Sequence, residues 1–182
     1  NTMSTSNKIV IRFVEAAIQT TGSITRVIGF VPSRHIFTLY DNPVLDANPR
    51  KPKVNRVTGD IIETLNETPE LFQFKSKGLL IGTSSYEALQ RNRYALNFND
   101  PSTEGVLDGG HNMLSIGIFF LSKIMDEKPL RKIQDWEDLL LAWDEHRDEL
   151  EELREEEDFL IPVELLVPAD DDVETIEAFN VA

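Results

Sequence analysis

The sequence predicts a mixed α/β (α+β) domain in which a mixed sheet packs against helices. Short β-branched, apolar runs alternate with longer helical patterns along the chain. Hydrophobic residues make up 41% of the 182 residues, which is enough to build one good core. Cysteine is absent, which excludes both a disulfide framework and a thiol nucleophile. The fold is therefore expected to depend on a single hydrophobic core.

The chain is expected to form one domain with two regions. Residues 1–125 are predicted to form the α/β core, and residues 126–182 an acidic helical extension with a late strand and helix. Residues 1–123 contain 13 Lys and Arg against 11 Asp and Glu, whereas residues 124–182 contain 5 against 21. The last predicted helix stops without a cap, which indicates a chain truncated from a longer protein.

Residues 8–14 and 25–31 are apolar and rich in β-branched residues, so they predict two early strands. A Thr-Thr-Gly-Ser turn lies between them, and we expect the two strands to pair as a hairpin. Ser33 is then a candidate N-cap for a short helical turn that reaches Tyr40. The following residues, 41–52, contain three prolines and predict an ordered loop.

The middle of the chain predicts two helices and several short strands. Residues 57–65 have apolar side chains at helical spacing, with Thr58 as the expected N-cap, and residues 69–74 form a second short segment. Residues 113–125 are apolar on most of their circumference, as in a central buried helix. The short strands are predicted at residues 78–82, 94–98 and 105–107.

Residues 134–157 predict one long helix that begins near Asp135, and the stretch 148–158 at its far end is mostly acidic. A late strand is expected at residues 159–167, followed by a helix at residues 170–182 that opens with acidic residues.

The charge and hydropathy patterns restrict the class of protein. No apolar run approaches the roughly 20 residues that span a bilayer, and residues 1–8 lead into no signal-peptide core, so we expect a cytoplasmic protein with no membrane partner. The net charge of −14 argues against broad nucleic-acid binding. One candidate anion surface stands out, because four basic residues lie within seven positions: Arg50, Lys51, Lys53 and Arg56.

A strand that ends at Leu107 and a helix that begins near His111 enclose the turn of residues 108–112, Asp-Gly-Gly-His-Asn. Such a turn directs free backbone N–H groups at a bound anion, and glycines allow a close approach. His111 is a candidate general acid or base, and Asp108 could orient it or hold a metal ion. The alternative is structural: Asp108 caps the helix, the glycines form a turn, and His111 packs in the first helical turn.

The same five residues resemble the Asp-Gly-Gln-His-Arg signature of the DGQHR domain proteins. They are more distantly similar to the glycine-rich strand-turn-helix of the ParB/sulfiredoxin superfamily. Asn112 stands where the signature has an arginine. Sulfiredoxin chemistry is excluded, because its nucleophile is a cysteine and this chain has none.

A closer similarity is to the abortive-infection phage-resistance proteins, the AIPR family. In that family an Asn-x-Arg element precedes an Asn, an Ile and a Thr-Leu helix, then a Phe with an Asn-Gly-Ile-like strand, and an Asn/Asp-Gly loop that opens a helix. The similar residues here, in order, are Asn48-Pro49-Arg50, Asn55, Ile62, Thr64-Leu65, Phe72 or Phe74, residues 77–81 and residues 108–111. Residues 163–167 and 174–182 resemble the family's late strand and following helix. Ser76 and Lys77 depart from the paired Asn that the family has before Gly.

The resemblance covers residues 48–182 and implies a ParB/DGQHR-like core, a role in phage defence and a phosphate-bearing ligand, either a nucleotide or a nucleic acid. Arg50, Lys53 and His111 would contact the anion. The expected ligand-binding residues are Asn48, Arg50, Lys53, Gly109, Gly110 and Asn112, and the candidate catalytic residues are His111 and Asp108.

Two other functions stay open at this point. The domain could be a metal-dependent nuclease or nucleotide hydrolase, with His111 as acid and base and Asp108 holding the metal. It could instead be an interaction module whose acidic residues 149–158 bind a basic protein partner or mimic a nucleic-acid surface. The three histidines show no metal-ligand spacing, so no metal site is predicted and the cofactor is not identified; His35 is expected to be a surface or packing residue.

Overall fold

The computed structural model describes residues 9–156 and 158–168, which form two β-sheets and several helices. The smaller sheet has the strand order β1-β6-β5 and is antiparallel throughout. Its strands are β1 Ile9–Arg12, β5 Ser85–Leu89 and β6 Arg93–Asn97. The mixed α/β class expected from the sequence is confirmed.

The larger sheet has the order β2-β3-β8-β4-β7. Its strands are β2 Glu15–Thr21, β3 Ile24–Pro32, β4 Leu79–Gly82, β7 Gly105–Asp108 and β8 Leu160–Pro168. Strand β8 is antiparallel to β3 and parallel to β4, so this is a mixed sheet. The late strand therefore lies at the centre of the sheet, next to strands from the first half of the chain.

The helices pack around one central element. They are α1 Arg56–Glu67, α2 Phe72–Lys75, α3 Gly110–Ser122, α4 Glu127–Leu130, α5 Trp136–Glu145 and α6 Arg147–Leu153. Every residue of α3 from Met113 to Leu121 is buried, which confirms the predicted central helix. Tyr40 stacks on Trp143 of α5 with 4.1 Å between ring centroids, and its hydroxyl donates to the Met113 carbonyl at 2.7 Å. These contacts fix the start of α3 inside the core.

The hairpin predicted between residues 8–14 and 25–31 is wrong, because these two runs lie in different sheets. Strand β3 pairs with β2, whereas β1, the apolar run from residue 9, pairs with β6 in the other sheet. Strand β2 lies at a sheet edge and is exposed along most of its length, so it lacks the apolar alternation that marks a half-buried strand. Strand β5 was not predicted either; none of its five residues is fully buried, so it too lacks a clear apolar pattern.

Two predicted helix caps are wrong. Ser33 opens a 3-10 turn, Ser33–His35, without capping it; its hydroxyl instead accepts from the Phe159 N–H at 3.2 Å. A second 3-10 turn follows at Phe37–Asp41, and another, Pro69–Leu71, precedes α2. The N-cap of α1 is Asn55, and Thr58 is the third helical residue, whose hydroxyl accepts from the Asn55 N–H. The two side chains form a reciprocal capping box.

The single long helix predicted for residues 134–157 is divided into α5 and α6 at His146. Asp135 is the N-cap of α5, as expected. The break allows Leu150 and Leu153 to be buried while the neighbouring acidic side chains stay exposed. Among the described residues of the acidic stretch, the helix ends at Leu153. The helix predicted at residues 170–182 lies outside the described residues.

In the part of the chain that the structure describes, the helices are all too short or too polar to cross a bilayer.

Candidate functional site

A single cleft is lined by two segments that are far apart in the sequence. It has a volume of about 930 Å³ and lies between the loop of residues 48–55 and the turn of residues 108–112, and we call it the turn cleft. All eight residues selected from the sequence border it: Asn48, Arg50, Lys53, Asp108, Gly109, Gly110, His111 and Asn112. Lys51 and Asn55 line it as well, whereas Arg56 does not.

The loop is held in place by hydrogen bonds at both ends. The side-chain amide of Asn48 donates to the Val106 carbonyl of β7. Further on, the Trp136 N–H donates to the Pro52 carbonyl at 3.2 Å, and the Val54 N–H donates to the Gln134 carbonyl at 2.8 Å. The basic side chains between these anchors therefore extend from a fixed backbone. Because its amide is used in this way, Asn48 acts as a clamp for the loop.

The two glycines of the turn have different environments. Gly109 is the N-cap of α3 with φ of +102°, and a Cβ there would overlap the Gly78 carbonyl oxygen. Asn112 also docks on that oxygen, its amide donating at 2.9 Å. Packing within the protein thus accounts for Gly109. Gly110 has ordinary space around it: the nearest atom to an added Cβ would be Pro52 Cδ at 3.6 Å.

The first turn of α3 presents backbone donors to the cleft. The N-cap has no side chain to accept from them, and the Asp108 carboxylate is engaged by the Gly109 N–H at 2.9 Å. Among the described residues, the N–H groups of Gly110, His111 and Asn112 have no acceptor. Unpaired amides at the positive end of a 13-residue helix favour an anion.

The His111 ring has its orientation set by a helix cap. Asn55 Oδ1 accepts from the N–H groups of Val57 and Thr58, so its Nδ2 amide group faces His111. Nδ2 lies 2.8 Å from His111 Nε2, which must then act as the acceptor. In the neutral ring the proton is on Nδ1. His111 is half-buried and borders the cleft, so Nδ1–H is the remaining donor of the ring.

The charged side chains that line the turn cleft are mainly basic. Arg50, Lys51 and Lys53 oppose a single carboxylate, that of Asp108, although the chain has a net charge of −14. Lys51 lies 4.0 Å from Glu137, a long ion pair between exposed groups. Within the described residues, Arg50 and Lys53 have no ion-pair partner, and both are exposed. Two uncommitted cations therefore border the free amides of α3.

The hydrolase hypothesis requires Asp108 to orient His111 or to hold a metal. The described hydrogen bonds pair His111 with Asn55, and Asp108 with its own neighbour Gly109. Residues 9–156 and 158–168 contain no group of three or more His, Asp or Glu side chains placed to hold a metal ion. The arrangement is therefore one of donors and cations around a cleft, which is suited to binding an oxyanion.

Asn55 is the site residue that the sequence analysis did not select as a contact, although it is part of the resemblance. Its cap position could have been found from Asn55-x-x-Thr58, a polar pair at the spacing of a capping box. Its contact with His111, 56 positions away, depends on tertiary structure and has no local signal.

No family model, no curated protein and no solved structure matches this chain. The similarity to the AIPR and DGQHR proteins stays a prediction from the motifs.

Proposed function

We propose that this chain is part of a cytoplasmic phage-defence protein of the AIPR type, with a ParB/DGQHR-like core, which binds a phosphate-bearing ligand in the turn cleft. The supporting observation is the meeting of two uncommitted cations, Arg50 and Lys53, with the free first-turn amides of α3. Backbone amides and basic side chains together are the usual ligands of a protein-bound phosphate.

The ligand class follows from the size and the donors of the cleft. About 930 Å³ is in the range of sites that hold a nucleotide-sized molecule. The α3 amides would contact the phosphate oxygens, Arg50 and Lys53 would neutralise their charge, and the Nδ1–H of His111 would donate a further hydrogen bond. A nucleotide, or the phosphorylated end of a nucleic acid, satisfies these groups.

The test is thermal stabilisation by a panel of ligands: inorganic phosphate, nucleoside mono-, di- and triphosphates, and short single-stranded oligonucleotides with a 5′ phosphate. A ligand present at 100 times its Kd should stabilise the wild type by about 2.7 kcal/mol. The double variant Arg50→Gln/Lys53→Gln should lose this shift. The matched control, Arg131→Gln/Lys132→Gln, removes two exposed charges outside the cleft lining and should keep it.

Two results would overturn the proposed site. One is a thermal shift that is as large in the Arg50→Gln/Lys53→Gln variant as in the wild type, and the other is the absence of a shift with every compound.

A phage-plating assay tests the biological setting separately. Cells that express the wild-type protein should form fewer plaques than cells that express the cleft variant, and equal plaque numbers would contradict a defence role that depends on this cleft.

A further inference from the structure

A second pocket, remote in sequence from the turn cleft, is surrounded by arginines. It has a volume of about 260 Å³ and lies where the end of β1, the first 3-10 turn and the β5–β6 turn meet. Arg12, Arg34 and Arg91 contribute to its lining, together with His35 and Asn92, and we call it the arginine pocket. This pocket lies outside the one candidate anion surface that the sequence indicated. The three arginines come from three different segments of the chain, so no single basic run in the sequence marks the pocket.

Each of the three segments is fixed by hydrogen bonds. The Phe13 N–H, next to Arg12, donates to the Asn92 carbonyl at 2.9 Å, which docks the β5–β6 turn against the end of β1. Arg154 Nε donates to the Arg34 carbonyl at 2.8 Å. The pocket is thus built on anchored backbone, and an anion would meet a largely preformed site.

The turn residue Arg91 is unusual for its position. Arg91 and Asn92 belong to the three-residue turn between the paired residues Leu89 and Arg93, and both have left-handed backbone conformations, with φ of +62° and +56°. Gly and Asn are favoured in that conformation, whereas an arginine there carries a conformational cost. The sequence nevertheless places a guanidinium group at the one turn position that borders the pocket with Asn92.

Most of the positive charge in the pocket is uncompensated. Arg34 lies 3.3 Å from Asp158, which does not line the pocket. Across the described part of the chain, Arg12 and Arg91 have neither a hydrogen bond nor an ion pair of their side chains, and no carboxylate lines the pocket.

His35 lines the pocket, and its pKa is affected by the charges of the neighbouring arginines. Its pKa is lowered by burial first, and then by the charges of Arg34, Arg154 and Arg12, against a smaller opposite effect of Asp158. Its Nε2 accepts from Arg34 Nε at 3.3 Å, so the ring is neutral in this arrangement.

We infer that the arginine pocket is a second, separate anion site, which binds a terminal phosphate monoester through Arg12, Arg34 and Arg91. Three guanidinium groups can donate to three terminal oxygens of one dianion. A phosphodiester offers only two such oxygens and continues as a chain on both sides, which suits a longer groove than this 260 Å³ pocket. The partner is therefore a small phosphorylated molecule or a phosphorylated chain end.

Two of the three histidines allow the two sites to be followed separately. His35 lines the arginine pocket, and His111 lines the turn cleft. The experiment is an NMR titration of the imidazole resonances with inorganic phosphate, and in parallel with dimethyl phosphate as the diester probe. Phosphate should shift the His35 resonances and raise the His35 pKa, because a bound dianion offsets the neighbouring cations.

Removing either uncommitted arginine, in Arg12→Gln or Arg91→Gln, should weaken the His35 response to phosphate at least about tenfold in concentration. Arg131→Gln, an exposed control outside the pocket, should leave it unchanged. Arg91→Asn removes the same charge and favours the turn conformation, so it distinguishes lost binding from a misfolded turn. No His35 shift, an equal shift in Arg91→Asn, or equal binding of dimethyl phosphate would overturn the inference.

Discussion

The Nδ2 atom of Asn55 lies 2.8 Å from Nε2 of His111, and this contact joins the cap of α1 to the first turn of α3. Asn55 therefore has two roles, since its Oδ1 also accepts from two backbone N–H groups of α1. The capping hydrogen bonds hold the Asn55 side chain in one orientation, because the backbone of the helix fixes their geometry. The orientation of the His111 ring is thus set from outside its own helix.

Substitutions at Asn55 should separate these two roles. Asn55→Ser retains a capping hydroxyl and should keep nearly the wild-type free energy of unfolding, while it loses the contact with His111. Asn55→Ala loses both and should cost about 1 kcal/mol of stability. Imidazole ¹⁵N shifts should show the Nδ1–H tautomer of His111 in the wild type and a mixture in Asn55→Ser. An unchanged tautomer in Asn55→Ser would show that Asn55 does not orient the ring.

The paired glycines should differ in their tolerance of alanine. Gly109→Ala places a side chain at φ of +102° and against the Gly78 carbonyl, so it should lower the free energy of unfolding by at least about 1 kcal/mol. Gly110→Ala meets its nearest neighbour at 3.6 Å in a helical position and should be neutral or slightly stabilising. Denaturant unfolding of the two variants checks this order, and equal losses would contradict the assigned turn geometry.

The stability of the fold should depend on pH through Asp41. Burial raises the pKa of its carboxyl and outweighs the opposing effect of Arg147, with which it forms an ion pair. The carboxyl therefore holds its proton to higher pH in the folded chain than in the unfolded chain. Its contribution to stability is present below the unfolded pKa and is lost as the pH rises through the folded pKa.

The variant Asp41→Asn should not lose this stability as the pH rises, because the asparagine amide stays neutral. Relative to the wild type, the variant should gain free energy of unfolding between pH 4 and pH 7, as measured by denaturant titration at both values. Asp46→Asn, at an exposed position, is the control for the removal of one negative charge. If the variant were more stable than the wild type at pH 4 and this gain disappeared at pH 7, the assigned direction of the Asp41 pKa shift would be wrong.

Much of the fold could be predicted from local patterns. Helix α3 is apolar on nearly every side, and strands β4 and β8 are apolar runs, so burial leaves a clear signal at each. The edge strand β2 is exposed and carries no such signal, which is why its partner was assigned wrongly. The break at His146 depends on how Leu150 and Leu153 reach the core, and no single residue in the sequence marks it.

The candidate site was predictable for a different reason. The Gly-Gly turn and the basic loop are each local features, and both border the turn cleft. The contacts that fix them, Asn48 with Val106 and Asn55 with His111, join residues more than 50 positions apart. The arginine pocket is also assembled by the fold, since its three cations come from three separate segments. Contacts between residues that are distant in the sequence leave no local pattern, so a single sequence does not predict them.

The central claim is that the first turn of α3 binds phosphate, and a pair of substitutions at Gly110 tests it most directly. Gly110→Asp places a negative charge at the positive end of the helix, which should maintain or raise stability while it repels an anion. Gly110→Ala is the matched control. The measurement is an ¹H–¹⁵N NMR titration with inorganic pyrophosphate. It follows the backbone amides of Gly110, His111 and Asn112, and in the variants the first of these amides is that of the substituted residue, Ala or Asp. These amides should shift in the wild type and in Gly110→Ala but not in Gly110→Asp. Amides that stay unmoved in the wild type, or that shift equally in the folded Gly110→Asp variant, would contradict the account.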